Sequence, residues 1–122
     1  MGTLGRFGPP VVLMAVIFFL SAQPDLNSGL GTIDLVGRKI VHMAEYALLC
    51  FLWWRALRSV TNDRGAVLLA FLIASGYAIT DEFHQTFVDG RDGTPVDWLI
   101  DSAGAGVVAL QLWRTRARAT RA

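Results

Sequence analysis

A mostly apolar stretch, residues 65–88, constrains the fold more than any other feature of the chain. At about 1.5 Å of rise per residue, a helix over these residues is long enough to cross the hydrocarbon core of a bilayer. Hydrophobic residues make up 53% of the 122 residues, and the mean hydropathy is +0.44. A soluble domain of this size needs a more polar surface, so the composition predicts a membrane protein of one domain, residues 1–122.

Proline, glycine and polar residues divide the chain into four predicted helices, at about residues 9–22, 35–58, 65–88 and 95–113. Pro9 and Pro95 suit the first turns of the first and fourth helices, and Asp34 is expected to cap the second. The third helix is expected to pass Asp81 and stop at Gly90, because carboxylates are unfavourable at the negative end of a helix dipole. The sequence therefore predicts an all-α fold, with four transmembrane helices in an antiparallel bundle.

The first apolar segment also resembles a secretory signal peptide, since it has a basic residue, an apolar core and a candidate cleavage site at Ser21-Ala22. We expect it to be retained as a helix, because further membrane segments follow it.

The distribution of basic residues predicts the orientation of the bundle. Eight of the eleven basic residues fall at one end: Arg6, Arg55, Arg58, Arg64, Arg114, Arg116, Arg118 and Arg121. Of the ten acidic residues, only Asp63 falls there. We therefore expect a multi-pass protein of the cytoplasmic membrane, with both termini in the cytoplasm.

Polar and ionisable residues gather at the opposite, extracytoplasmic end of the predicted bundle. Lys39, His42 and Tyr46 share one face of the second helix at 100° per residue. Charge beside hydrocarbon is costly, so such a group indicates a site. The candidate catalytic residues are His42, Asp81, Glu82 and Asp101, and the candidate substrate-binding residues are Gln23, Lys39, Tyr46, Gln85, Arg91 and Asp97.

Several of these residues also have a purely structural interpretation. Asp97 with Thr94 fits a capping box, Lys39 fits a snorkelling cation, and Tyr46 fits an interfacial aromatic residue. His84 fits a solvated helix end. The structural interpretation is weakest for the acidic and histidine residues inside the predicted spans, where an unpaired charge is unfavourable.

Two short pairs, His42 with Glu45 and Asp81 with His84, have the spacing of metal ligands on one helix face. Two such pairs are a weak signal, so we expect no metal and no cofactor. No run of basic residues suits a nucleic acid.

Four fragments stand in order along the chain: Ser21-Ala22-Gln23-Pro24, Lys39-x-x-His42-x-x-x-Tyr46, Asp81-Glu82-x-x-Gln85-x-Phe87-x-x-x-Arg91 and Asp97-x-x-x-Asp101-x-x-Gly104. Together they resemble the VanZ-like membrane proteins, over about residues 18–110. The resemblance implies a bacterial envelope protein and a link to teicoplanin resistance, but it supplies no reaction. It also implies an Asn at the position of Asp101, so the Asp here adds a negative charge or a proton.

Three functions fit this sequence. The first is an intramembrane enzyme acting on an envelope lipid or lipid-linked precursor, with histidine and carboxylates dividing acid and base roles and Lys39 and Arg91 holding an anionic group. The second is a non-enzymatic protein that binds a lipid or glycopeptide at the outer surface. The third, an ion pathway, ranks last because the cytoplasmic halves of the helices lack polar residues. The oligomeric state is not predicted.

Overall fold

The computed structural model describes residues 2–21, 32–85, 87 and 95–121. Over these ranges the chain forms four helices and no strands: α1 (Thr3–Ser21), α2 (Thr32–Leu57), α3 (Asp63–Gln85) and α4 (Pro95–Arg121). The predicted all-α fold is confirmed.

Helix α1 begins at Thr3, ahead of the expected start, and carries Pro9 and Pro10 inside it. Because Pro9 has no N–H, the carbonyl of Gly5 one turn earlier lacks its usual donor within the helix. Arg55 on α2 donates a hydrogen bond from Nη2 to this carbonyl at 2.8 Å. A side chain from the neighbouring helix thus replaces the bond that proline removes, and the helix can begin before its prolines.

The other helix ends follow the local sequence with some differences. Helix α2 begins at Thr32, so it does not start after an Asp34 cap. Asn62 caps α3, since its Oδ1 accepts a hydrogen bond from Gly65 N at 2.7 Å. Helix α3 does pass Asp81 and extends to Gln85, whereas the expected stop at Gly90 lies outside the described residues. Helix α4 continues beyond its expected end to Arg121.

Helix α2 packs most extensively against α4 and α3, and α1 also packs against it. The contact between Arg55 and Gly5 joins the end of α2 to the start of α1. The guanidinium of Arg64 lies over the ring of Trp113, 5.3 Å from its centroid, and joins the start of α3 to the end of α4. Neighbouring helices in both pairs are therefore antiparallel, and arginines collect at one end of the bundle.

Small residues allow the helices to approach closely. Ala66, Ala70, Ala74 and Ala78 are spaced one turn apart on α3 and are fully buried. On α4, a Cβ added at Gly104 would overlap the backbone of Met43 on α2, with its carbonyl oxygen as the nearest atom. Helices α2 and α4 are therefore almost in backbone contact at this level.

Among the described residues, three helices are long and apolar enough to cross a membrane, over Thr3–Leu20, Val36–Leu57 and Asp63–His84. Over its described residues helix α4 is not among these three, and its sequence carries two aspartates and an arginine-rich end. Its outward face is nevertheless apolar, since Leu99, Val107 and Leu110 are each more than half exposed. This outward face suits lipid contact, and a fourth crossing by α4 stays a prediction.

Candidate polar site at one end of the bundle

Helix α2 contributes His42 and Tyr46, which lie one turn apart on its inner face. Tyr46 is fully buried, and the same face continues into Leu49 and Cys50, which are also fully buried. The apolar part of α2 therefore fixes the helix against its neighbours, and the polar residues occupy the end of that packed face opposite the arginines.

Helix α3 contributes two carboxylates directly after its stripe of alanines. Asp81 and Glu82 are 2% and 8% exposed, and they follow Ala78 within one turn of the helix. The inner face of α3 thus changes from methyl groups to acidic groups at this end of the bundle. Carboxylates this deeply buried are costly without hydrogen bonds or counter-charges.

The hydroxyl of Tyr46 donates a hydrogen bond to Oδ2 of Asp81 at 3.2 Å. Both side chains are buried, so water is excluded from this contact. A hydrogen bond to an ionised acceptor is stronger than one between neutral groups. This bond fixes the rotation of the Asp81 carboxyl group and connects α2 with α3.

Helix α4 contributes Asp101, whose side chain is 1% exposed and faces His42 across the α2–α4 contact. Nδ1 of His42 lies 3.6 Å from Oδ1 of Asp101, which is an ion pair when the imidazole is protonated. Gly104 lies one turn further along α4, and the close approach at that glycine brings Asp101 within reach of α2.

These residues form one group, which we call the polar cluster: His42, Tyr46, Asp81 and Asp101. One nitrogen or oxygen atom from each of His42, Asp81 and Asp101 lies within 4.8 Å of the others. His42 is the least enclosed of the three, with 21% of its side chain exposed. A ligand approaching from that end would meet the imidazole first, with two carboxylates behind it.

The polar cluster contains four of the ten candidate residues named from the sequence. Glu82 is buried on the same turn as Asp81, and Lys39 is half-buried one turn before His42. Gln23 and Arg91 lie outside the described residues, and so do the side chains of Gln85 and Asp97, although both residues belong to described helices. The roles of all ten residues stay predictions.

Sequence reasoning missed a second set of polar contacts next to the cluster. The hydroxyl of Tyr77 donates to the carbonyl of Met14 on α1 at 2.6 Å. The hydroxyl oxygens of Ser75 and Ser102 lie 2.9 Å apart between α3 and α4, and Trp98 Nε1 donates to the carbonyl of Ser75 at 3.1 Å. Single serine and tyrosine residues inside apolar helices are the sequence feature that could have indicated these contacts. Their hydrogen-bond partners, however, follow only from how the helices pack.

A solvated helix end is one of the interpretations of His84, and in the structure its ring stacks on Phe18 of α1. The two ring centroids are 4.2 Å apart and the ring planes are inclined by 28°. The imidazole thus contributes to the contact between α1 and α3, and His84 is not one of the three residues grouped within 4.8 Å.

A protein-family model described as VanZ/LLP1 matches residues 9–115 of the chain. The matched range includes all four residues of the polar cluster and most of each helix. No match was found among curated proteins or among solved structures.

Proposed function

Because the chain belongs to the VanZ/LLP1 family, we propose that it acts, through its polar cluster, on an envelope lipid or lipid-linked precursor of bacteria. In this proposal the protein is a multi-pass protein of the cytoplasmic membrane, and its activity alters susceptibility to glycopeptides of the teicoplanin type. The family and the membrane-spanning helices support the membrane location.

The observation that carries the proposal is the burial of Asp81 and Asp101 beside His42. These carboxylates are 2% and 1% exposed and come from two helices that both pack on α2. A bundle held only by packing needs no ionisable groups there, because apolar residues of the same size would be as stable or more stable. Ionisable residues inside membrane segments typically mark a functional site.

The contacts support distinct tasks for the cluster residues. His42 is the most exposed residue of the cluster, so it can exchange a proton with a bound ligand, while the buried Asp101 holds the imidazole in place. Tyr46 fixes the Asp81 carboxyl group from the apolar side. Glu82, which follows Asp81 in the chain, offers a further carboxylate for acid or base chemistry.

The arrangement of arginines supports an extracytoplasmic position for the cluster. Arg55, Arg58 and Arg64 lie at the bundle end where α1 starts and α4 finishes, and each contacts a backbone carbonyl or a tryptophan ring. Arginine and tryptophan together suit a cytoplasmic membrane interface. The polar cluster lies at the other end, where an outward-facing headgroup would be found.

The alternative is a non-enzymatic protein that holds a lipid or glycopeptide at the outer surface. The same buried carboxylates favour it, since a fixed set of acceptors also suits recognition. The two functions differ in what a conservative change does: an enzyme with Glu82→Gln loses turnover but keeps its ligand, whereas a binder loses ligand and effect together.

Native mass spectrometry of the protein released from bacterial membranes tests the proposal. We expect one envelope lipid, enriched over bulk phospholipid, to stay bound to the wild type and to be lost in Asp81→Asn. Asp63→Asn is the matched control, because Asp63 is an exposed carboxylate at the arginine-rich end, 4.0 Å from Arg58. Bulk phospholipid alone, in equal amounts on all three proteins, contradicts the proposal.

A further inference from the structure

We propose that His42, Asp81 and Asp101 form a site for one divalent transition-metal ion, such as Zn²⁺ or Mn²⁺, between α2, α3 and α4. Each residue comes from a different helix and offers one ligand atom, and the three atoms lie within 4.8 Å of one another. The inference concerns what these side chains bind, and it does not depend on the proposed lipid substrate.

The distances suit a shared ion. Ligand atoms at about 2.0–2.2 Å from a tetrahedral zinc ion are about 3.3–3.6 Å from one another. His42 Nδ1 and Asp101 Oδ1 are already 3.6 Å apart. One ligand atom from each of the three residues lies within 4.8 Å of the other two, so each needs to move inward by less than about 1 Å, within reach of a small rotation of a side chain.

The buried oxygen atoms of Asp81 provide a second, independent observation. Oδ2 accepts the hydrogen bond from Tyr46, whereas Oδ1 is buried and has no hydrogen-bond partner among the described residues. A buried carboxylate oxygen without a partner is costly. An ion that took Oδ1 as its ligand would satisfy this oxygen, and Tyr46, bonded to Oδ2, would then be the outer partner that orients a metal ligand.

The donor set indicates the class of ion. One imidazole nitrogen with two carboxylate oxygens favours zinc, manganese or iron, whereas Mg²⁺ and Ca²⁺ favour sites made of oxygen alone. Three protein ligands leave a coordination position open for water or for an oxygen of a ligand. This site takes one residue from each of the helix-local pairs seen in the sequence and leaves out Glu45 and His84, so it departs from our expectation of no metal.

The test uses full-length protein in nanodiscs, stripped of metal with a chelator and then dialysed against Zn²⁺ or Mn²⁺. We expect one equivalent of bound ion by elemental mass spectrometry. Asp81→Asn and Asp101→Asn should lower the affinity by more than about 100-fold, and Tyr46→Phe by about tenfold, as expected for an outer partner. His84→Gln and Asp63→Asn are matched controls that should bind like the wild type.

A second variant keeps the test decisive if an aspartate variant fails to fold. In His42→Cys the new thiolate can still ligate, so added Co²⁺ should produce a sulfur-to-cobalt charge-transfer band that the wild type lacks. The proposal is overturned if the wild type binds no stoichiometric ion. It is equally overturned if cobalt binds His42→Cys without that band, or if His84→Gln loses as much affinity as the aspartate variants.

Discussion

Tyr46 and Tyr77 lie on facing helices, with ring centroids 6.4 Å apart, yet their hydroxyl groups donate to different kinds of acceptor. Tyr46 donates to a buried carboxylate, whereas Tyr77 donates to the backbone carbonyl of Met14. The first bond satisfies one oxygen of a buried acidic group. The two tyrosines therefore form a natural pair for measuring what the charge of the acceptor contributes.

We expect Tyr46→Phe to lower the free energy of unfolding by about 2 kcal/mol, because it leaves a buried carboxyl group without its donor. Tyr77→Phe should cost about 1 kcal/mol, because its acceptor is neutral. Helix content followed by circular dichroism during unfolding in mixed micelles measures both. Equal losses in the two variants would show that the Tyr46 hydroxyl does not stabilise a buried charge.

The identities of the interior residues and their gathering at one end of the bundle were largely predictable, but the individual hydrogen-bond and ion-pair partners were not. Charge in an apolar segment was sufficient to single out His42, Asp81 and Asp101 in the sequence. Their partners depend on the depth and rotation of each helix, and these are set by contacts such as the one at Gly104. The sequence for this reason suggested metal ligands within single helices, whereas the three side chains that converge come from three helices.

Helix α4 can pack closely against α2 because Gly104 has no side chain. At Gly104 an added Cβ would lie 3.0 Å from the Cα and C atoms of Met43 and closer still to its oxygen, and a backbone cannot rotate away. Gly106, two residues on, differs sharply, since an added Cβ there would lie 3.6 Å from the Phe71 ring, an ordinary contact.

Gly104→Ala should therefore force α4 away from α2, lower the free energy of unfolding by about 2 kcal/mol or more, and separate His42 from Asp101. Gly106→Ala should be neutral or stabilise by up to about 1 kcal/mol, because alanine favours the helix more than glycine does. Unfolding in micelles measures the stability of both. An unperturbed Gly104→Ala protein would mean that the two helices are further apart than described.

The helix starts show where local rules apply and where they do not. Pro95 begins α4 as the sequence predicted, because proline in a first turn needs no partner. Pro9 does not begin α1, because Arg55 from another helix replaces the missing backbone bond. Periodicity and helix-breaking residues predict the number of helices. They do not predict where a helix begins when its first turn depends on a hydrogen-bond donor from another helix.

The bundle as a whole is electrically asymmetric along its axis. Contacts made by Arg55, Arg58 and Arg64 lie at one end, and the polar cluster lies at the other. The eight basic residues that the sequence assigns to one side include these three. An excess of arginine next to membrane spans favours the cytoplasmic side.

This asymmetry makes a prediction about topology that labelling can check. On a Cys50→Ser background, a cysteine at residue 62 should react only with a membrane-permeant thiol reagent, and a cysteine at residue 92 should react with an impermeant one. Residue 62 lies in the turn between α2 and α3, and residue 92 lies between α3 and α4. The reverse labelling pattern would show that the bundle has the opposite orientation, with the polar cluster at its cytoplasmic end.

The central claim is that the polar cluster serves function beyond stability, and teicoplanin susceptibility tests it most directly. A Gram-positive host lacking VanZ-like genes would express the wild type, His42→Gln, Asp101→Asn or Asp63→Asn, with equal amounts of folded protein verified in its membranes. We expect the wild type and Asp63→Asn to raise the inhibitory concentration, and the two cluster variants to behave like the empty vector. Full protection by His42→Gln and Asp101→Asn would contradict the account.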